Sequence, residues 1–221
     1  MGTERMGTER TGTPRGLERL VFFTDAVAAI AITLLILPLV EAVAESATTA
    51  ASNDAAMDAA LGEFLGEIRP LFVSFIISFV VIARLWVAHH AIFEHVAAYT
   101  PRLLVLSLLW TLTIVVLPLP TAIISEFDAT PLAVGIYIGT MTLNSLTLTT
   151  IDYSVRANPR VESADNPIGE GSVAGSTIST ALFIVALVVG VLVPAINLWA
   201  LLVLLASGPV GVVVRRIRRP R

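Results

Sequence analysis

Apolar residues in this chain gather into runs about twenty long, the length an α-helix needs to cross a roughly 30 Å hydrocarbon core. Six such runs are read, at about 20–40, 68–90, 102–124, 131–152, 175–194 and 197–214. The fifth and sixth are separated only by Pro194-Ala-Ile-Asn197, which predicts a tight helical hairpin. The sixth is short and could instead be a partly embedded helix. Between the first two runs lies a stretch from Glu41 to Glu67 that carries Glu41, Glu45, Asp54, Asp58, Glu63 and Glu67 and no basic residue. It reads as an acidic, alanine-rich loop. Residues 156–175, with Gly, Ser, Asn and Pro, read as a second polar loop. The expected fold class is an all-α integral membrane protein with six transmembrane helices per subunit.

Composition strengthens that reading. Hydrophobic residues make up 56% of the 221 positions, charged residues only 14%, and the mean hydropathy is +0.85. Soluble chains carry about 25% charged residues. With no cysteine, disulfides, zinc thiolate sites and iron–sulfur clusters are excluded. The net charge of −3 says little, because charge is sorted by position. All fourteen basic residues are arginine, and they mark sides of the membrane. Arg5, Arg10, Arg15 and Arg19 precede the first span, Arg84 and Arg102 flank the second loop, and Arg156 and Arg160 occupy the fourth. Arg215, Arg216, Arg218, Arg219 and Arg221 follow the sixth; Arg69 alone falls on the other side. That pattern predicts an even number of spans with both termini in the cytoplasm. The domain reading is a disordered cytoplasmic tail at 1–16, a transmembrane domain at 17–214 and a basic cytoplasmic tail at 215–221. The tail contains Met-Gly-Thr-Glu-Arg twice and is too polar to fold. The run after Arg19 is too long for a signal peptide and lacks a small-residue cleavage site.

The first span carries the most chemistry. On an ideal helix at about 100° per residue, Ile30, Leu34, Leu37 and Phe23 fall within about 60° of one another, with Thr33 at the edge of their arc. Asp25 lies about 140° from Ile30 on that wheel. The aliphatic arc is lipid contact or packing on one reading, and a hydrophobic pore constriction built from several subunits on the other. Arg19 suits a snorkelling anchor. Asp25 needs a partner inside the protein, because a bare carboxylate at the edge of the hydrocarbon is costly. Arg84, Trp86, His89 and His90 cluster near the same end of the second span, and pairing with Arg84 or a histidine is expected. Such a bundle serves as structural glue or as a gate.

Other positions carry weaker signals. His90 and Glu94 stand at i and i+4, a workable ligand pair, but with His89 and His95 they match no zinc motif. Leu117-Pro-Leu-Pro-Thr121 should kink or end the third span at its outer side. The fourth span holds Gly135 and Gly139 four apart, Asn144 and many hydroxyls, a pattern for close packing or a polar path. Nucleotide-binding loops, hydrolase elbows, the filter motif of ordinary potassium channels and arginine ladders are all absent from the sequence. No enzyme activity, cofactor or nucleic-acid partner is expected. A proton-coupled secondary transporter with Asp25 as its coupling carboxylate is the alternative to a channel, and a metal site at His89, His90 and Glu94 comes third.

Arg19, Phe23, Thr24 and Asp25, followed by Ala-Ile-Ala-Ile-Thr-Leu-Leu-Ile-Leu-Pro at 29–38, resemble the Arg-x-x-x-Phe-Ser-Asp signature of the transmembrane protein 175 family of potassium channels. Trp86 with His89, and Leu117-Pro-Leu-Pro-Thr121, extend the likeness, which covers about residues 17–214. The resemblance implies a homotetramer in a bacterial inner membrane whose first helices line a pore permeable to potassium and other monovalent cations. It maps the constriction onto Ile30, Leu34 and Leu37, a hydroxyl layer onto Thr33, and bracing contacts onto Arg19, Phe23, Thr24, Asp25, Arg84, Trp86 and His89. Two positions depart from the pattern. Ser107 stands where relatives often carry asparagine, and Ala29 where some carry a second hydroxyl.

Overall fold

The computed structural model describes residues 11–49, 54–127, 130–193 and 196. Eight helices are found among these: α1 Pro14–Leu34, α2 Leu37–Thr49, α3 Asp54–Glu67, α4 Arg69–Phe93, α5 Pro101–Val116, α6 Pro118–Glu126, α7 Pro131–Arg156 and α8 Glu170–Leu192. The described residues contain no strand, only an isolated bridge between Val96 and Glu162. Five helical stretches are long and apolar enough to cross a membrane: Pro14–Ser46, Arg69–Phe93, Pro101–Ile124, Pro131–Arg156 and Gly171–Leu192. These are the first five expected spans. The sixth, at 197–214, the basic tail and most of the 194–197 turn lie outside the described residues.

Three of these helices start with the same dipeptide. Thr13-Pro14, Thr100-Pro101 and Thr130-Pro131 open α1, α5 and α7, and each threonine is extended, with its hydroxyl accepting from Gly16, Leu103 or Ala133 N–H. The cap satisfies a first-turn donor, and proline fills a position where the missing N–H costs nothing. Prolines further along act in the opposite way. Pro38 and Pro118 each lack the N–H that the carbonyl four residues back would accept, so the first span breaks between α1 and α2 and the third between α5 and α6. The expected kink after Leu117 is present, and the chain continues as helix to Glu126.

Two boundaries differ from expectation. The stretch 41–67 is helical over most of its length, as the end of α2 and the whole of α3, because its alanines and glutamates favour helix once no long apolar run is required. α1 begins at Pro14, six residues before the expected start of the span, since the Thr-Pro cap outweighs the polarity of its first turn.

α7 is the centre of the bundle. It packs against α8, α5, α6 and α4, and Ile138, Ile151, Val155 and Asn144 on it are fully buried. Hydroxyls tie it to its neighbours: Ser145 and Thr149 both meet Thr180 at 2.8 Å, Thr149 donates to the Ser176 carbonyl, and Asn144 donates to Thr113 at 2.6 Å. Thr140, Thr147 and Thr150 instead donate to the carbonyl four residues back in their own helix. Of the two glycines, Gly135 admits α8 closely, with Val191 Cγ2 3.3 Å from where a Cβ would stand. Gly139 meets no described atom within 4 Å of that point.

α1 lies against α5, α4 and α6 through a face of small residues. Thr24, Ala28 and Ala31 are buried on it together with Leu20. Small side chains let helix backbones approach within a membrane, where dispersion contacts replace the hydrophobic effect as the driving force. Ala28→Leu inserts three carbons into a site only 2% exposed, and overpacking of that kind costs about 1–3 kcal/mol. The expected outcome is a lower melting temperature for the detergent-solubilised protein. Wild-type melting of that variant would show that the seam is loose.

Candidate functional site: the first helix and its bracing contacts

The wheel of α1 is resolved into two arcs by the bundle. Leu20, Thr24, Ala28 and Ala31 are buried, and Leu35 beyond the helix end joins them. On the other arc Phe23, Ile30, Leu34 and Leu37 are exposed in the single subunit, Ile30 most of all at 58%. Thr33 is exposed beside them. Its hydroxyl donates to the Ile30 carbonyl at 2.8 Å, which uses its proton and leaves the oxygen only as an acceptor. The expected constriction residues thus share one outward face with the expected hydroxyl layer. Leu37 reaches this face from α2, past the proline break.

The bracing contacts are partly as expected. Asp25 does find a partner on α4, but the partner is Trp86, whose indole Nε1–H donates to the Asp25 carboxylate at 2.8 Å. The expectation named Arg84 or a histidine, and the indole adds a donor that brings no second charge out of water. Trp86 also stacks on His90, with ring centroids 5.4 Å apart. Arg84 itself is exposed. Thr24 is fully buried and donates to the Val21 carbonyl. Phe23 and Arg19 do not brace the bundle interior. Both lie on the exposed arc of α1, because Phe23 is only about 20° from Ile30 on the wheel and Arg19 a turn before it.

The three histidines, read together as a possible ligand set, are dispersed. His89 is fully buried and sandwiched between Phe93 and Trp110, at centroid distances of 4.4 and 3.9 Å. Neither of its ring nitrogens has a hydrogen-bond partner among the described residues. His90 points outward, 3.7 Å from Glu94. His95 reaches across to the Asn166 carbonyl at 2.9 Å. Among the described residues no three His, Cys, Asp or Glu side chains come together as a metal site. Ser107, at the position where an asparagine was noted as the commoner residue, is buried and donates to its own helix at the Leu103 carbonyl.

Asp152 went unnoticed in the sequence. It is fully buried on α7, and Ser176 of α8 donates to its Oδ2 at 2.7 Å. A carboxylate in the last turn of a long apolar run was the available signal. The nearby Arg156, one turn on, disguised it as an interfacial charge.

Residues 19–118 match the family described as endosomal/lysosomal potassium channel TMEM175. A potassium channel of Streptomyces collinus is 31% identical over 109 residues, covering 49% of this chain and 48% of that one. The chain therefore matches about half the length of this curated relative. The crystal structure of a lysosomal potassium-selective channel TMEM175 homolog from Chamaesiphon minutus shares the fold. It is 21% identical, with a TM-score of 0.65 over 90% of this chain and 97% of that one.

Two substitutions separate the bracing contacts. Trp86→Phe keeps an aromatic ring against His90 but removes the donor to the half-buried Asp25, and a hydrogen bond to a charged group is worth about 1.5–3 kcal/mol. Thermal melting should fall accordingly, and Asp25→Asn in the same background should recover part of the loss. His89→Phe retains the aromatic stack and removes two buried nitrogens, so it should melt at or above wild type. His89→Ala should lose about 3 kcal/mol, in the range for emptying an aromatic core site. Strong destabilisation by His89→Phe would mean that the imidazole is held by hydrogen bonds.

Proposed function

We propose that the chain, whose residues 19–118 match the TMEM175 family, is a potassium-permeable cation channel whose pore is lined by α1 in a homotetramer. The observation that carries this reading is the division of α1 into two arcs. A small-residue face is spent on the bundle, while Ile30, Leu34 and Leu37 remain exposed in register with Thr33. Four copies of that arc around an axis would form stacked apolar rings, which set the radius of a water-filled path and decide whether it wets. Thr33 would offer hydroxyl oxygens to a partly dehydrated ion. A coupling carboxylate for a transporter should face the substrate path, and Asp25 is instead turned away and bonded to Trp86. The arginine distribution supports a bacterial inner-membrane protein with both termini in the cytoplasm. No catalytic step is part of this reading.

Potassium flux into liposomes tests it. Ile30→Ser and Leu34→Ser should raise flux and weaken discrimination between potassium and sodium. Thr33→Val should lower selectivity while assembly, followed by size-exclusion chromatography, is retained. If polar substitutions at Ile30, Leu34 and Leu37 all leave flux unchanged in assembled protein, α1 does not line the path.

A further inference from the structure

The backbone of the first span is weakest directly after Leu34. Pro38 cannot donate to the Leu34 carbonyl, and the bonds that close this turn, Leu35 N to Ile32 O and Ile36 N to Thr33 O, are both long at 3.3 Å. The third span has the same defect, where Pro118 leaves the Ile114 carbonyl to Leu117 N at 3.2 Å. The two breaks face each other. Leu34, Leu35 and Pro38 on one side, Pro118 and Ala122 on the other, and Phe75 of α4 line an apolar cleft of about 30 Å³. One water takes up roughly 10–15 Å³ by this measure, so the cleft has room for about two methyl-sized groups. Thr121 also lines it, but its hydroxyl is engaged by Ser78 at 3.0 Å and by the Leu117 carbonyl.

Leu34 belongs to two surfaces at once. It lines this cleft, and it is 43% exposed on the arc assigned to the pore. Resting on the reading of α1 as the pore helix, we infer that the cleft receives the Leu34 side chain when the constriction opens, with the paired proline breaks as the hinge. Leucine rotamers are discrete staggered states, so the two Cδ methyls move together from one surface to the other. Where the cleft is unfilled its apolar walls lack dispersion partners, and the incoming methyls supply them. That gain offsets the loss of leucine contacts across the pore axis. The Thr121 hydroxyl, already bonded to Ser78 and to the Leu117 carbonyl, does not compete with the incoming methyls.

The test uses the full-length protein in liposomes and four forms: wild type, Ala122→Leu, Leu34→Ala and the double variant. Ala122→Leu fills the cleft from α6, and potassium flux should fall at least about tenfold, since an overpacked site disfavours the state that needs the space. Leu34→Ala should raise flux. The double variant should conduct like Leu34→Ala, because an alanine at the ring has nothing to withdraw. Wild-type flux from Ala122→Leu overturns the inference, and so does a double variant that stays low. Unchanged flux in Leu34→Ala would instead overturn the pore reading of α1.

Discussion

The Trp86 indole donates to the Asp25 carboxylate at 2.8 Å, and this bond fixes the rotation of α1 about its own axis. A carboxylate near the membrane core must be satisfied within the protein, so α1 cannot turn freely. With Asp25 held toward α4, the small residues Thr24, Ala28 and Ala31 enter the bundle. The aliphatic arc is thereby left outside. The exposure of Ile30, Thr33, Leu34 and Leu37 depends on that orientation.

The interior of the bundle is held differently. α7 makes its contacts through hydroxyls and an amide, with Ser145, Thr149 and Asn144 reaching α8 or α5. The hydroxyls offset their own burial cost by pairing across helices, while Asn144 pairs through Nδ2 and leaves its buried Oδ1 without a partner among the described residues. Each such pair specifies a register that apolar packing alone leaves loose. Asp152 with Ser176 closes the same seam near the end of α7. Beyond it the loops are clasped as well, with Ala97 N–H donating to the Val161 carbonyl and Ser163 N–H to the His95 carbonyl. The outcome is a closely packed pair, α7 with α8, against which a first span interrupted by proline is carried through α5, α4 and α6.

Much was legible in the amino-acid order. The length of the apolar runs determined that helices cross a membrane, because a backbone in hydrocarbon must satisfy its own hydrogen bonds. The wheel of the first span separated Asp25 from Ile30 and Leu34 without any coordinates, since helical angle follows from residue spacing alone. Leu117-Pro-Leu-Pro-Thr121 located the break in the third span for the same local reason. The sequence did not choose among possible partners in space. Arg84, Trp86 and His89 lie within one turn and a half of each other, and only packing decided that the indole meets Asp25 while the imidazole is buried between Phe93 and Trp110. Phe23, a bracing residue by resemblance, stands on the open arc, where the wheel had already set it beside Ile30. Spacing along one helix is a property of the chain, whereas contact between helices depends on how several faces are shared at once, and that was settled by the tertiary structure.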